Sequence, residues 1–298
     1  NTNAPDDGVF NSFEGRGGND TIIGNGATRI VVQGSAGVWM SALEGRAMDL
    51  ADYQNGTTLD AAGVGIDTFS GVNHLRGGAY ADVLIGGKRE NNQLEMYEGR
   101  GGNDSIYGGS GYDRVNYRND ARSNGGFIDG TDGTLLFGYD ENGERIYSVG
   151  IDVRMAEGVV TGDASLISTD QLRGIESIRG TVLADRYDAT GFGANSANSG
   201  SNGFFNDFEG YAGNDTIVGN GHTELRYGGA TGAIYVNLAA NESLDLGDKQ
   251  TGSTYDLAMI GVDVLGNGIN AITGSRYSDL LIAGRTENDL LEAFSGGR

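Results

Sequence analysis

The chain has 298 residues and carries 41 acidic against 20 basic side chains, which gives a formal charge of −21. A surface this acidic repels a phosphate backbone and argues against nucleic acid as a partner, while bound cations would relieve its self-repulsion. The absence of cysteine excludes disulfides and thiolate metal sites, and no apolar run reaches the ~18 residues of a membrane-spanning helix.

Short apolar runs recur along the chain, such as TIIG at 21–24, SIYG at 105–108 and TIVG at 216–219, each bounded by Gly, Asn or Asp. This pattern predicts short strands separated by tight turns, and such strands can bury a core only as coils stacked on one another. We therefore predict an all-β fold, a right-handed parallel β-solenoid of the β-roll or β-helix type. Helical periodicity is weak, and its best candidates are 43–53 and 166–178.

One glycine-rich acidic phrase occurs three times: FEGRGGND at 13–20, YEGRGGND at 97–104 and FEGYAGND at 208–215. The stretches that follow the phrases also correspond, so the phrases mark three repeats of roughly 85 residues. We predict one continuous solenoid over 1–298 without an internal domain boundary. Its repeats cover about 11–95, 96–205 and 206–298.

The middle repeat is longer because 119–150 has no counterpart in the other two. This segment is predicted to be an inserted hairpin or loop. An insertion on one coil projects from a solenoid, so 119–150 is also the predicted partner contact. The final stretch, LEAFSGGR at 291–298, begins the phrase a fourth time, and we expect the array to continue in a longer protein.

The middle repeat also contains GGSGYDRVN at 108–116, which fits the nonapeptide G-G-x-G-x-D-x-U-x at every position, U being a large apolar residue. GRGGNDSIY at 99–107 precedes it in tandem, and 15–23 and 210–218 are close variants. Glycines permit positive φ and let turn carbonyls face inward, while the aspartate adds a carboxylate. Calcium takes six to eight oxygens at about 2.3–2.6 Å, so a second turn from the neighbouring coil must complete each site.

The predicted calcium-site residues are the glycines and aspartates of these turns and the matching residues of weaker variants. They are Gly15, Gly18, Asp20, Asp82, Asn92, Gly99, Gly102, Asp104, Gly108, Gly111, Asp113, Asp185, Gly210, Gly213, Asp215, Asp279 and Asp289. Spacing pairs Asp82 with Asp104. For the weaker positions Asp82, Asp185 and Asp279 an alternative stays open, namely that the aspartate only caps its own turn.

With these motifs the chain resembles the RTX (repeats-in-toxin, hemolysin-type calcium-binding repeat) family. The resemblance implies several calcium ions as the cofactor, a parallel β-roll or β-helix, type I secretion and an extracellular location at the bacterial surface. Because each block holds few tandem nonapeptides, a mixed β-helix with scattered calcium sites is expected rather than a pure β-roll.

The expected function is a calcium-binding structural segment of a secreted surface protein, such as a surface layer, filament, matrix or adhesin stalk, that folds when calcium binds. Two alternatives stay open: an accessory module of a secreted enzyme, and a carbohydrate-binding extracellular module. The expected partners are calcium, other copies or further repeats of the chain, and cell-surface polysaccharide. No enzyme activity is expected, because no nucleophile stands out and His74 and His222 occupy non-equivalent places; we expect both histidines at the surface or in turns.

Overall fold

The computed structural model describes residues 11–87, 94–118, 138–139, 145–146, 150–162, 168–284 and 293–296. These residues are almost entirely β, with two six-residue helices, α1 (Leu50–Asn55) and α2 (Leu246–Thr251). In chain order the strands are β1 (Asn11–Glu14), β2 (Thr21–Ile23), β3 (Thr28–Val31), β4 (Val38–Ser41), β5 (Arg46–Asp49), β6 (Ile66–Ser70), β7 (His74–Arg76), β8 (Val83–Ile85), β9 (Leu94–Glu98), β10 (Ser105–Tyr107), β11 (Tyr112–Asn116), β12 (Gly138–Tyr139), β13 (Arg145–Ile146), β14 (Asp152–Arg154), β15 (Val159–Thr161), β16 (Thr169–Arg173), β17 (Ser177–Arg179), β18 (Arg186–Asp188), β19 (Asn206–Glu209), β20 (Thr216–Val218), β21 (Thr223–Arg226), β22 (Ile234–Asn237), β23 (Glu242–Asp245), β24 (Asp263–Leu265), β25 (Ile269–Thr273), β26 (Leu280–Ile282) and β27 (Ala293–Ser295).

The described residues fall into two compact units. Unit 1 takes them from 1–116, 158–177 and 197–203, and unit 2 takes them from 117–157, 178–196 and 204–298. The prediction of one continuous solenoid over 1–298 stays a prediction.

Unit 1 contains two sheets. Sheet A of unit 1 is parallel and has the order β1, β3, β7, β9, β11. Sheet B of unit 1 has the order β2, β6, β5, β4, β8, β10, β16, β15. The strands β1 to β4 alternate between the sheets, as a coiled path requires, and β7 to β11 do so as well, whereas β4, β5 and β6 all lie in sheet B.

Unit 2 is built in the same way. Sheet A of unit 2 has the parallel order β19, β21, β25, β27, and sheet B of unit 2 has the order β14, β18, β20, β24, β23, β22, β26. Its stretch β20, β24, β23, β22, β26 reproduces the stretch β2, β6, β5, β4, β8 of unit 1. The first and third sequence repeats therefore have the same topology.

Sheet B of each unit is not purely parallel, which corrects the sequence-based expectation. Strand β5 runs antiparallel to β4 and β6, and β23 runs antiparallel to β22 and β24. Strand β15 likewise runs antiparallel to β16. The cause is the short turns at 42–45 and 238–241, which end in left-handed Gly45 (φ 66°) and Asn241 (φ 59°). A connection this short can join only antiparallel strands.

One helix prediction is wrong and the other holds only at its end. The predicted helix at 166–178 is occupied instead by β16 and by the start of β17. Left-handed Gly174 (φ 69°) lies between these strands and is incompatible with a continuous helix. In the other candidate, 43–53, residues 43–45 belong to a turn, Arg46–Asp49 form β5, and α1 begins at Leu50 with Asp49 as its N-cap.

The core lies between the two sheets of each unit. The apolar U residues of the nonapeptides point into it as predicted, since Ile22, Ile106 and Ile217 are all buried. In unit 2, Tyr187 of sheet B stacks on Phe208 of sheet A with ring centroids 4.7 Å apart. Burial of one apolar residue per short strand is how so glycine-rich a chain gathers a continuous core.

Within the predicted insertion 119–150 the structure describes an antiparallel pair, β12 with β13. The remainder of 119–149, and with it the predicted partner contact, lies outside the described residues. In the described part of the chain, no helix has the length and apolar character needed to cross a membrane.

Candidate metal sites

Aspartates that begin neighbouring strands of sheet B lie side by side. In unit 1 the Asp82 N–H donates to Asp104 Oδ1 (2.8 Å), and the Asp104 N–H donates to Asp170 Oδ1 (2.9 Å). The Asp20 N–H donates in the same way to Asp67 Oδ1 (2.9 Å). The predicted pairing of Asp82 with Asp104 is thus present. Each of these two rows of hydrogen-bonded aspartates also includes one that the nonapeptide pattern does not predict, Asp170 in one row and Asp67 in the other.

Unit 2 contains a matching row. The Asp185 N–H donates to Asp215 Oδ1 (2.8 Å), and the Asp215 N–H donates to Asp263 Oδ1 (3.0 Å). The three side chains are 3%, 1% and 3% exposed. Three carboxylates are therefore held together out of water, with their spacing fixed by the strand register.

Each Gly-Asn-Asp turn, at 15–20, 99–104 and 210–215 and called a GND turn below, also uses its asparagine. Asn214 Oδ1 accepts the N–H of Val262 (2.9 Å), and Asn103 Oδ1 accepts the N–H of Thr169 (3.0 Å). Asn19 Oδ1 accepts the N–H of Ile66 (2.8 Å). In every repeat the asparagine and the aspartate thus hold two successive residues of one neighbouring strand.

The weaker turns use their aspartates as caps. Asp82 Oδ2 accepts the N–H of Gly78 at the second position of its turn (2.7 Å), and Asp185 Oδ2 accepts the N–H of Thr181 (2.7 Å). The remaining oxygen of each takes an N–H from a neighbouring strand, Val38 for Asp82 and Ile151 for Asp185. This geometry matches the alternative left open for these two positions.

The GND turns are arranged differently. Their second residue is left-handed, with φ 65° at Arg16, 76° at Arg100 and 67° at Tyr211. Asp20 Oδ2 and Asp215 Oδ2 are buried and accept no hydrogen bond. In this open geometry one carboxylate oxygen of the first turn and one of the third turn is left available for another ligand.

The turn glycines serve two purposes. The fourth residues Gly18, Gly102 and Gly213 have φ between 104° and 107°, which confirms the predicted need for positive φ. The first residues, Gly15, Gly99 and Gly210, are not left-handed; they lie against their own aspartate, and a Cβ at Gly210 would overlap Asp215 Oδ2. In the second tandem turn Gly111 is left-handed (φ 131°), and Gly108 packs on Asp113.

The buried row of unit 2 lacks the charge compensation that a carboxylate needs. Burial raises the pKa of Asp185 to about 7 and that of Asp263 to about 7. Burial, followed by the charges of Asp263 and Asp185, raises the pKa of Asp215 well above its usual range. A buried carboxylate is stable only when it is protonated or paired with a cation.

The donor set fits calcium rather than a transition metal. Within the described residues no three Asp, Glu or His side chains converge as metal ligands, and the donors that the GND turns offer are carboxylate oxygens and backbone carbonyl oxygens. Carbonyl and carboxylate oxygens are what calcium prefers. Asp20 and Asp215 would hold such an ion through their available oxygens.

Comparison with known families agrees with this chemistry. The family described as the RTX calcium-binding nonapeptide repeat matches four stretches, 10–28, 67–88, 98–118 and 201–230. The chain contains RTX calcium-binding repeats. This confirms the resemblance drawn from the motifs, and calcium is the ion that the family binds. None of the curated proteins compared with the chain matches it.

The four RTX matches cover some predicted site residues and omit others. All three GND turns, Asp82 and Asp113 lie inside the matches. Asp185 and Asp279 lie outside them. Asp279 Oδ1 accepts the Ile234 N–H (3.1 Å) and its Oδ2 is buried without a hydrogen bond, so it combines features of both turn types. Asn92 and Asp289 lie outside the described residues.

The tandem RTX turns of the middle repeat face different sheets. Asp104 precedes β10 of sheet B, whereas Asp113 lies in β11 of sheet A. The Asp113 N–H donates to Glu176 Oε2 (3.0 Å), and its Oδ1 accepts the Tyr97 hydroxyl (3.2 Å). These two aspartates therefore lie at different sheets, and Glu176 is a neighbour of Asp113 that the nonapeptide pattern does not predict.

The histidine prediction is wrong for His74. Its side chain is completely buried, and Nε2 lies 3.1 Å from Oε1 of Glu98, the glutamate that precedes the central GND turn. Arg76 Nε lies 3.0 Å from Glu98 Oε2, and Arg29 is 3.7 Å from Oε1. Burial by itself would raise the pKa of Glu98, but the hydrogen bond and charges of these neighbours outweigh it and lower the pKa to about 2. His74 therefore lies against a buried carboxylate and not at the surface or in a turn.

Proposed function

We propose that this RTX segment is a structural module that folds as calcium binds between its turns and strands. The observation that carries the proposal is Asp215 Oδ2, an oxygen of a 1% exposed carboxylate that accepts no hydrogen bond and lies over the glycine turn of an RTX repeat. A calcium ion would supply the missing partner and offset most of the negative charge of Asp185, Asp215 and Asp263.

The coupling of binding to folding follows from charge and composition. The chain has a formal charge of −21 and 54 glycines. Ordering glycine costs more backbone entropy than ordering other residues, and the rows of carboxylates repel one another. Binding free energy that is available only in the folded state then becomes folding free energy.

We further propose that the complete fold is one right-handed solenoid with a hairpin inserted at 119–150. The alternation of strands between two sheets supports a coiled path. Right-handed crossovers are the strong preference for parallel strands. The pair β12 and β13 supports the hairpin.

The proposed location is outside the cell, at the bacterial surface, after type I secretion. RTX repeats are typical of secreted proteins, and calcium reaches millimolar concentrations outside cells but not in the cytosol. A chain that folds only with calcium would stay export-competent inside and fold outside. We propose a role as part of a surface layer, filament, matrix or adhesin stalk, without enzyme activity in this segment.

The accessory-module alternative makes the same demands on the calcium sites and differs only in what lies beyond the chain. Additional repeats of roughly 85 residues would support the structural role, and a catalytic domain would support the alternative. Binding to cell-surface polysaccharide can be measured on a glycan array in the presence of calcium.

Limited proteolysis tests the proposal directly. The full chain should resist trypsin in a few mM calcium and be cleaved within RTX repeats in chelator, since a glycine-rich chain without its ions cannot close its turns. Magnesium, which retains its waters and demands octahedral geometry, should not protect at the same concentration. Equal resistance in calcium and in chelator would refute calcium-dependent folding.

A further inference from the structure

We infer that the calcium site of each GND turn is completed by an aspartate that lies in none of the nonapeptides identified from the sequence: Asp67, Asp170 or Asp263. The inference rests on the proposed function, calcium binding by the GND turns. It replaces the sequence-based expectation that each turn pairs with another nonapeptide turn.

The first repeat shows two carboxylates facing the same point. A Cβ placed on Gly15 would lie 2.7 Å from Asp20 Oδ2 and 3.2 Å from Asp67 Oδ2. Asp67 is only 2% exposed, and Asp20 Oδ2 is buried without a hydrogen bond. The absence of a side chain on Gly15 thus leaves a space lined by one oxygen from the RTX turn and one from β6.

The third repeat places Asp263 beside Asp215 through the backbone hydrogen bond that also joins Asp20 to Asp67. The Asp215 N–H donates to Asp263 Oδ1. Asp263 Oδ2 is held by the Ser243 hydroxyl (2.8 Å) and lies 3.4 Å from the Tyr227 hydroxyl. These hydroxyls fix the carboxylate without using all its lone pairs, so it can still contribute to an ion. On the opposite side of Asp215, Asp185 accepts backbone N–H groups on both of its oxygens, from Thr181 and Ile151.

All three repeats build this juxtaposition with the same hydrogen bonds. In the middle repeat Asn103 accepts the Thr169 N–H, and the Asp104 N–H donates to Asp170. The two residues of the GND phrase therefore dock a strand that carries an aspartate at one fixed position. Asparagine supplies the docking bond, and aspartate supplies the carboxylate.

Charge balance favours two carboxylates per ion. One aspartate leaves calcium with a net positive charge in a buried place, whereas a second one neutralises it. Carboxylate number also tunes calcium affinity strongly. An ion shared between a GND turn and the next strand would clamp that strand in register.

Isothermal titration of the full chain with calcium chloride tests the inference. We expect Asp263→Asn to lower the affinity for one calcium ion about tenfold or more, or to abolish its binding, because one carboxylate ligand is removed. Asp215→Asn should affect the same ion, and the double variant should lose no more ions than Asp215→Asn alone. The matched control is Asp152→Asn, which removes one negative charge from a 45% exposed carboxylate in unit 2 and should bind like the wild type.

Two results would overturn the inference: unchanged stoichiometry and affinity in Asp263→Asn, or loss of a further ion in the double variant. If Asp263→Asn fails to fold in saturating calcium, as judged by circular dichroism, Asp67→Asn and Asp170→Asn are titrated and judged by the same criteria. A wild-type chain that binds no calcium would overturn the proposed function itself, and the wild-type titration alone reveals that outcome.

Discussion

Asn214 holds the strand that begins beside Val262: its side-chain Oδ1 accepts the Val262 N–H at 2.9 Å. The next residue along, Asp215, donates its own N–H to Asp263. The two residues of one tight turn thus fix two successive residues that follow 48 positions later. The same relationship occurs at Asn19 and Asn103.

Asn214→Ala should weaken this docking. Loss of the hydrogen bond leaves the Val262 N–H without its protein partner, and we expect a loss of about 1 kcal/mol in the free energy of unfolding. Amide exchange at Val262, followed by NMR in saturating calcium, should accelerate. The control is Asn195→Ala at an exposed loop asparagine, which should change neither quantity; equal effects of the two substitutions would contradict the docking role.

Gly261 is a second point of contact between strand and turn. It is left-handed (φ 70°), and a Cβ there would overlap the carbonyl oxygen of Gly213 in the GND turn. Gly252, the C-cap of α2, has a similar φ of 73° but open space around its Cβ position. Both Gly→Ala variants carry the strain of a left-handed alanine, about 1 kcal/mol.

We expect Gly261→Ala to cost at least about 2 kcal/mol more than Gly252→Ala, because it also forces the strand away from the turn. Urea unfolding of both variants in saturating calcium measures the difference. Equal costs would show that the close approach of Gly261 to Gly213 is not required for stability.

The ion pair at Glu98 predicts an acid-sensitive contribution to stability. The folded-state pKa of Glu98, about 2, lies below its ordinary value of 4.5. A lowered pKa of a carboxyl stabilises the folded state above pH 4.5, and this stabilisation is lost as the pH falls towards 2. The shift corresponds to about 3 kcal/mol.

Glu98→Gln should therefore be less stable than the wild type at pH 6, and the difference should shrink steadily as the pH falls below 4.5. Denaturant unfolding across this pH range measures the difference in the free energy of unfolding between Glu98→Gln and the wild type. Taking this difference cancels the contributions of the titrating groups that the two proteins share. Glu157→Gln, at a glutamate whose side chain is 58% exposed, should show a small difference at every pH. A constant gap for Glu98→Gln would contradict the ion-pair explanation.

The sequence predicts the positions of the turns better than it predicts the residues that the turns contact. Local glycines and aspartates identify the strands after Asp20, Asp104 and Asp215, because the turn and its strand are contiguous. The residue that faces Asp215 is Asp263, far along the chain. The phrase Gly-Val-Asp at 261–263 repeats Gly-Ile-Asp at 65–67, but nothing in either phrase says which turn its aspartate faces, so that role emerges only from register.

The hairpins and the buried histidine show two further limits. The four-residue turn that ends in Gly45 contains the left-handed glycine that an antiparallel hairpin uses. That glycine is a local signal for the reversal of direction at β5. His74 gives no such signal, since its environment depends on Glu98 from the neighbouring strand β9 of sheet A. Long-range charge pairs are not encoded in the spacing of one repeat.

Circular dichroism during a calcium titration of the full chain tests the central claim most directly. The account predicts a largely disordered spectrum in chelator that converts to a β spectrum as calcium rises into the millimolar range typical of extracellular sites. The same β spectrum in chelator and in about 10 mM calcium would contradict it.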